Sequence, residues 1–356
     1  MRIGVAGAGL LGRLLAVQLA SLGHAVDLFD PAPDAATRQA AGWTAAGMLS
    51  PVAELECADS EVFACGLRSL ELWPQIIARL VAPVAFAQRG SLLIAHRGDE
   101  GAAARVIELL KRKAPARHVP ERLSMTALSA LEPAVRGVAQ AWQLACEGQI
   151  HSVQAMHALA ATATSLGVHW HWGRSVLEVN AGELVCDHGT LNFDWVFDVR
   201  GTGARSQLPV RGVRGEIFWL HAPGVQLGRP LRLLHPRHRV YVVPREGNMF
   251  VVGASEIESE DRSPVSLRTT VELLAAAHSV LPELAEARIV HSETNLRPAL
   301  PDNIPTLVHS DGITRINGLF RHGWLLAPAL VERALTPQFS TMAHKEIQYE
   351  LDHNIS

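Results

Sequence analysis

The sequence contains few cysteines, and their spacing excludes two classes of small stabilised domain. Only four are present among 356 residues, at Cys57, Cys65, Cys146 and Cys186, with no C-x-x-C pair. This distribution fits neither a disulfide framework nor a zinc module. We therefore expect a reducing compartment and a cytoplasmic protein.

Charged residues are also scarce, and neither sign is in excess. They make up 19% of the chain, and 32 Lys+Arg against 35 Asp+Glu leave a net charge of −3. Without a basic excess the chain has no electrostatic footprint for a polyphosphate backbone, so nucleic acid is not an expected partner. The 48% of hydrophobic residues excludes a disordered chain. A small molecule is the expected ligand.

Long apolar runs are absent as well. No window supplies the roughly 20 uninterrupted apolar residues of a transmembrane helix, so no integral membrane segment is predicted. Glycines break the first apolar run and no cleavage motif follows it, which argues against a signal peptide. The 17 histidines form no helical H-x-x-x-H pair with an accompanying carboxylate cluster, so no metal site is predicted.

The first thirty residues have the pattern of a complete βαβ unit. Arg2 to Ala6 is a short apolar strand, Gly7 to Gly12 a turn, Leu14 to Leu22 a helix, and Ala25 to Phe29 a second strand. A chain of this length predicts two domains or one large composite domain, against about 150 residues for a typical domain. The βαβ unit therefore indicates a nucleotide-binding domain at the start of the chain.

The turn carries the G-x-G-x-x-G fingerprint of dinucleotide-binding folds. Gly7 permits the tight turn, Gly9 lets the backbone approach a pyrophosphate, and Gly12 lets the helix sit close to the strand. The N–H groups that open the helix then face the phosphates. Asp30, 18 residues after Gly12, ends the next strand, where a carboxylate accepts hydrogen bonds from a ribose 2′-OH. An acidic residue there disfavours NADP, but this unit does not distinguish FAD from NAD.

Later segments alternate between predicted strands and predicted helices. Residues 191–199 have the composition of one buried strand that ends at a second glycine turn, Gly201-Thr202-Gly203. Strand formers are frequent in 216–220 and 240–252, and helices are predicted at 267–280 and after Gly323. The alternation predicts a nucleotide-binding domain built from separate segments of the chain, with a β-rich second domain inserted between these segments.

Three further segments identify a family. They are the loop from Ala41 to Pro51, the strands Tyr241 to Arg245 and Val252 to Glu256, and the stretches Leu296-Arg297-Pro298 to Pro305 and Gly318 to Pro328. In this order they resemble the motifs of the D-amino-acid oxidase superfamily, most closely its glycine oxidase branch of the thiamine pathway. The small residues of the loop resemble those that lie against the flavin ring in that family.

The resemblance implies an α/β fold with a discontinuous, Rossmann-like FAD-binding domain and an inserted, mostly antiparallel α+β substrate domain. We expect the first at 1–81, 147–207 and 291–356, and the second at 82–146 and 208–290. It also implies oxidation of glycine, sarcosine or a small D-amino acid by hydride transfer to N5 of non-covalent FAD. Water would release an oxo acid and ammonia or an amine, and dioxygen would become hydrogen peroxide. Homo-oligomers occur in this branch, so a homo-oligomer is expected.

The same resemblance assigns the catalytic residues. Arg297 would clamp the substrate carboxylate, because a planar guanidinium makes bidentate contacts. Tyr241 would donate a hydrogen bond to it, and Arg321 would lie near the substrate and the flavin edge. The residues expected to hold FAD are Gly7, Gly9, Leu10, Leu11, Gly12, Asp30, Arg38, Thr44, Ala45, Ala46, Gly47, Met48, Val176, Gly201, Gly203, His322, Gly323, Trp324, Leu325 and Leu326.

Two segments depart from the family pattern and keep other functions open. His151-Ser152 stands where Asp-Pro is usual, and the charged Asp198 and Arg200 indicate a sub-branch whose substrate differs. One alternative is a dehydrogenase of the same fold that passes electrons to a quinone or a protein. Another is a flavoprotein that acts on a carrier-bound or peptide substrate.

Overall fold

The computed structural model describes residues 1–235 and 239–339. Residues 340–356, which belong to the last expected segment of the FAD-binding domain, lie outside the described residues. In the described part of the chain, no helix combines the length and apolarity needed to cross a membrane. No group of His, Cys, Asp and Glu residues within these ranges is placed to hold a metal ion.

The described residues form twenty β-strands and eight α-helices, numbered in chain order. The strands are β1 (Arg2–Ala6), β2 (Ala25–Asp30), β3 (Met48–Leu49), β4 (Phe86–Ala87), β5 (Ser91–His96), β6 (Glu121–Leu123), β7 (Val138–Leu144), β8 (Gly148–Ile150), β9 (His169–Trp172), β10 (Val176–Asn180), β11 (Glu183–Cys186), β12 (Gly189–Asn192), β13 (Trp195–Asp198), β14 (Arg211–His221), β15 (Leu231–Leu234), β16 (Arg239–Arg245), β17 (Met249–Gly253), β18 (Arg288–Ala299), β19 (Thr306–Ser310) and β20 (Ile313–Asn317). The helices are α1 (Leu10–Ser21), α2 (Pro51–Glu54), α3 (Ser60–Ile77), α4 (Glu100–Lys113), α5 (Met125–Leu131), α6 (Ser152–Ser165), α7 (Leu267–Val280) and α8 (Gly323–Phe339).

A six-stranded sheet forms the nucleotide-binding part of the fold. Its order is β19-β20-β13-β1-β2-β9, and every neighbouring pair is parallel except β19 with β20. The predicted βαβ unit is confirmed, although α1 begins at Leu10, directly after the glycine turn. The prediction of one strand at 191–199 is wrong. The chain turns at Phe193-Asp194, so β12 pairs with β11 while β13 joins the parallel sheet.

An eight-stranded sheet of order β18-β14-β17-β16-β15-β5-β7-β6 forms the second large layer. All its pairs are antiparallel except β15 with β5. The expected α/β class with a mostly antiparallel second sheet is therefore confirmed. The long strands β14 and β18 pair along their length, with Val213 opposite Arg297. Tyr241 on β16 lies opposite Gly253 on β17.

The strands of the parallel sheet all fall within the three segments expected for the cofactor domain. The antiparallel sheet uses the two segments of the inserted domain, but β18 crosses the expected boundary between residues 290 and 291. We propose the same division of the chain, with the last crossing placed after Ala299. A small sheet of order β3-β8-β4 lies where the two parts meet, because β8 pairs with both β3 and β4.

The contact between α1 and the first turn predicts how two neighbouring glycines differ. A Cβ atom at Gly12 would lie 1.8 Å from the carbonyl oxygen of Gly7, whereas one at Gly9 would meet only the Cβ of Ala40, at 3.6 Å. We expect Gly12→Ala to lower the free energy of unfolding by about 3 kcal/mol or more, because the helix must move away from the turn. Gly9→Ala, the matched control, should cost less than about 1 kcal/mol. Denaturant unfolding of both variants tests this, and equal stabilities would contradict it.

Candidate active site

Two cavities meet between the sheets. The first, of about 700 Å³, lies at the carboxyl ends of the parallel strands, where α/β sheets bind nucleotides. We call it the nucleotide cavity. The second, of about 810 Å³, lies against the antiparallel sheet between α4 and α7, and we call it the chamber. The residues that line both are Thr44, Ala45, Arg297, Arg321 and Trp324.

The glycine turn forms a cradle in which Gly7 has no room for a side chain. Gly7 has a φ of +106°, and a Cβ atom there would lie 2.7 Å from the carbonyl oxygen of Val199. The Asp30 carboxylate accepts hydrogen bonds from the N–H of Ala8, at 2.6 Å, and of Ala32, at 2.9 Å. Asp30 thus holds the turn in place and still lines the cavity. The bare backbone at the start of α1 suits a pyrophosphate, so these residues fit a dinucleotide.

Most of the residues expected to hold FAD line one of the two cavities. Those on the nucleotide cavity are Gly7, Gly9, Leu10, Leu11, Asp30, Thr44, Ala45, Val176, Gly201, Gly203, Gly323 and Trp324. Those on the chamber include Thr44, Ala45, Ala46, Gly47, Met48, His322, Trp324 and Leu325.

Three expected cofactor residues line neither cavity. Gly12 packs against the Gly7 carbonyl behind the cradle. Arg38 forms an ion pair with Glu293, and its guanidinium lies 5.7 Å from the centre of the Trp43 ring. Leu326 is buried in the core on α8. All three residues therefore support the walls of the cavities from behind.

The loop of residues 44–48 separates the two cavities and is held through its backbone. Gly47 has a φ of +61°, its carbonyl oxygen accepts from the N–H of Ile150 at 2.8 Å, and a Cβ atom would lie 2.0 Å from the Ile150 oxygen. Arg245, from the antiparallel sheet, donates to the carbonyl oxygens of Ala46 and Ile150. Burial lowers the pKa of Arg245 to about 10, which leaves it protonated at neutral pH.

The His151-Ser152 departure also supports this loop. The Ser152 hydroxyl donates to the Ala45 carbonyl oxygen at 2.6 Å. The imidazole of His151 accepts from the N–H of Gln154 at 3.4 Å and so caps α6. Burial, assisted by the nearby Arg245, lowers the pKa of His151 to about 4, so the ring is neutral and able to accept at neutral pH.

The second departure is an internal ion pair. Arg200 lies 2.7 Å from Asp198, and both side chains are buried. The Arg200 guanidinium also donates to the carbonyl oxygens of Val176 and Leu177, and to the Gln207 side chain. Arg200 lines the nucleotide cavity, and neither charged residue lines the chamber. The structure therefore gives this pair a scaffolding role beside the nucleotide cavity, away from the place where the sequence analysis expected an effect on substrate.

Arg297 and Tyr241 both line the chamber. Both are enclosed by protein yet keep surface open to the cavity. Two glycines make room for them, because a Cβ atom at Gly215 would lie 2.5 Å from Arg297 Cζ, and one at Gly253 would lie 2.6 Å from the Tyr241 hydroxyl. Arg297 donates to the Ser255 carbonyl oxygen at 2.9 Å. Burial raises the pKa of Tyr241, so its hydroxyl is a neutral donor at physiological pH.

Glu54, which follows the family-like loop in the sequence and received no role from the motifs, is a buried carboxylate that joins three cationic or titratable side chains. Its oxygens lie 3.0 Å from Arg321 Nε, 2.9 Å from Arg232 Nη2 and 3.3 Å from His322 Nδ1. Burial alone would favour the neutral acid, but Arg321 and Arg232 outweigh it and hold the pKa of Glu54 well below its usual range. The available signal was a glutamate in the otherwise apolar stretch Pro51-Val52-Ala53-Glu54-Leu55.

Comparisons with known proteins show the family of this chain. Residues 2–333 match the model of the DAO family, described as FAD dependent oxidoreductase. A protein of Rhizobium etli that carries the name of the thiamine biosynthesis oxidoreductase ThiO is 38% identical over 95% of this chain and 98% of its own length. A protein of Geobacillus kaustophilus named glycine oxidase is 25% identical over 92% of this chain and 89% of its own.

Solved structures share the fold. The crystal structure of glycine oxidase from Geobacillus kaustophilus superposes with a TM-score of 0.80 at 24% identity, over 94% of this chain and 97% of that one. Iminodiacetate oxidase from Chelativorans superposes with a TM-score of 0.78 at 23% identity, over 94% of each chain. From the family match and the Rhizobium relative, we conclude that this chain is an FAD-dependent enzyme and belongs to the DAO family of FAD-dependent oxidoreductases.

Proposed function

We propose that this protein is an amino-acid oxidase that deaminates glycine, sarcosine or small D-amino acids to an oxo acid and ammonia or an amine, with dioxygen as electron acceptor and hydrogen peroxide as second product. The names of its relatives support the reaction class. The observation that carries the proposal is Arg297, an enclosed guanidinium that faces the junction of the two cavities beside a phenol.

The substrate carboxylate binds Arg297. One nitrogen of the guanidinium donates to the Ser255 carbonyl oxygen. No carboxylate in the described part of the chain forms an ion pair with Arg297. Burial lowers the pKa of Arg297, as expected of an enclosed cation without a carboxylate in direct contact. A bidentate carboxylate supplies that counter-ion, and the Tyr241 hydroxyl donates a further hydrogen bond to it.

The cofactor is held by the residues that separate and border the cavities. The turn from Gly7 to Gly12 and the start of α1 receive the pyrophosphate, and Asp30 receives the ribose. The loop 44–48, together with Trp324, borders the flavin. When bound, FAD supplies the hydride acceptor for the Cα–H bond of the substrate.

The chain's own contribution is to orient the substrate. Because Arg297 lines both cavities, a carboxylate on its guanidinium places the adjacent carbon at their junction. Arg245 and Ile150 hold the loop there through backbone contacts, so the distance between the carboxylate site and the loop is fixed. No acid–base triad is required of the protein for this reaction.

The size of the chamber favours a second candidate, the same chemistry on a bulkier amine. At about 810 Å³ it exceeds the needs of a single glycine, and it extends to Arg105 of α4 and Thr269 of α7. A carrier-bound, peptide or larger N-substituted substrate would use that space.

An anaerobic titration tests the proposal. The purified, FAD-loaded protein is mixed with glycine, sarcosine, D-alanine or D-proline, and the flavin absorption is followed before and after admission of air. We expect one of them to bleach the flavin, with the colour and hydrogen peroxide returning in air. Bleaching without return in air would replace the oxidase by a dehydrogenase that uses a quinone or a protein. No bleaching by any of the four would favour the bulkier substrate.

Removal of the carboxylate partner should abolish turnover and keep the cofactor. In Arg297→Ala we expect kcat/KM to fall by roughly two orders of magnitude or more, since a charge-paired hydrogen bond in an enclosed site is lost. Arg297→Lys, which keeps the charge but not the bidentate geometry, should fall between Arg297→Ala and the natural protein. Steady-state kinetics and flavin content per chain are measured for each. Unchanged turnover in Arg297→Ala would refute the role.

Asp30 should affect the cofactor and leave the carboxylate site alone. Asp30→Ala releases the N–H groups of Ala8 and Ala32 and removes the ribose acceptor. We expect FAD to dissociate at least about tenfold more readily, as for the loss of a charged hydrogen-bond partner. Dialysis followed by FAD titration measures this, and KM for the amino acid at saturating FAD serves as control. Full retention of FAD in Asp30→Ala after dialysis would count against the assignment.

A further inference from the structure

The inner end of the chamber holds three arginines and two glutamates in one connected group. Glu54 lies 2.9 Å from Arg232 and 3.0 Å from Arg321, and Arg321 also approaches the exposed Glu256 at 3.5 Å. These four residues and Arg297 all line the chamber. Each glutamate therefore offsets one arginine, and Arg297 is the one cation of this group that lacks a carboxylate partner.

Three other charged residues that line the chamber are paired outside this group. Arg268 and Glu272 pair with each other at 2.9 Å on α7, and Glu258 pairs with Arg211 at 3.0 Å. The three arginines and two glutamates of the group thus leave an excess of one positive charge, which matches one substrate carboxylate. A second carboxylate would have to displace Glu54 from its arginines or remain beside its negative charge.

Glu54 is able to enforce this exclusion because it keeps its charge and cannot move away. It is 7% exposed, it ends the short helix α2, and its carboxylate lies between side chains from β15 and from the segment before α8. In an enclosed site, like charges a few ångströms apart repel far more strongly than in water.

We propose that Glu54 is a specificity-determining residue, which restricts the chamber to substrates with a single carboxylate by neutralising Arg232 and Arg321. This inference rests on the proposed function, because it assumes that the chamber takes an amino-acid carboxylate. It adds the substrate class that Glu54 rejects, namely amino acids with a second acidic group.

Binding of small carboxylates tests the inference without turnover. Acetate and malonate carry one and two carboxylates, and their dissociation constants are measured by calorimetry on the FAD-loaded protein. The natural protein should bind acetate at least as tightly as malonate. In Glu54→Gln, which keeps the shape and removes the charge, the ratio of the malonate to the acetate dissociation constant should fall at least about tenfold.

Turnover gives a second readout. The ratio of kcat/KM for D-aspartate to that for D-alanine should rise at least about tenfold in Glu54→Gln and stay near the natural value in Glu54→Asp, which keeps the charge. Glu258→Gln is the matched control, because it removes a negative charge from the chamber wall but not from the arginine group, and its ratio should change less than about twofold. A merely structural role for Glu54 would lower both rates and leave the ratio unchanged.

The outcomes separate the inference from the proposed function. A natural protein that binds malonate more tightly than acetate overturns the inference, and this holds even where Glu54→Gln fails to fold. An unchanged ratio in a folded, FAD-loaded Glu54→Gln also overturns it. Selective binding of acetate, lost in Glu54→Gln, supports the inference, and if no amino acid bleaches the flavin of the same protein, only the proposed function fails.

Discussion

Both cavities depend on the position of the loop of residues 44–48. This loop is bonded through its backbone to Ile150 on one side and to the Arg245 side chain on the other. Because β8 pairs with both β3 and β4, the loop is attached at the seam between the two large sheets. The nucleotide cavity and the chamber therefore keep a common wall, as the proposed function requires of a cofactor on one side and a substrate on the other.

Enclosed guanidinium groups supply much of the polar framework around this wall. Taking a cation out of water is unfavourable unless hydrogen bonds or opposite charges replace the lost hydration. Arg13 donates hydrogen bonds to the carbonyl oxygens of Ala8, Met156 and Ala35. Arg200 forms an ion pair with Asp198 and donates to nearby carbonyl oxygens. Arg297 has one carbonyl partner. Its unused hydrogen-bonding capacity is what the proposed carboxylate-binding role requires.

The two departures from the family pattern have structural explanations near the cofactor side. Ser152 bonds to the loop backbone, and His151 caps the following helix. Asp198 and Arg200 connect the end of β13 to β10. A buried charged residue in a sequence motif requires a partner of opposite charge. Here Asp198 and Arg200, two positions apart, neutralise each other within the fold.

The dinucleotide turn was predictable because its requirements are local. Gly7, Gly12 and Asp30 act on backbone atoms within one βαβ unit, and the spacing of that unit is written along the chain. The order of family motifs also indicated Arg297 and Tyr241. Glu54 received no role from the sequence, because its partners Arg232 and Arg321 are far away in sequence and reach it only when β15 and the segment before α8 pack around α2. Local sequence patterns thus determined the first βαβ unit and its glycine turn, whereas the charge balance of the chamber came from tertiary packing, since opposite charges from distant segments are matched only where the folded chain brings them within a few ångströms.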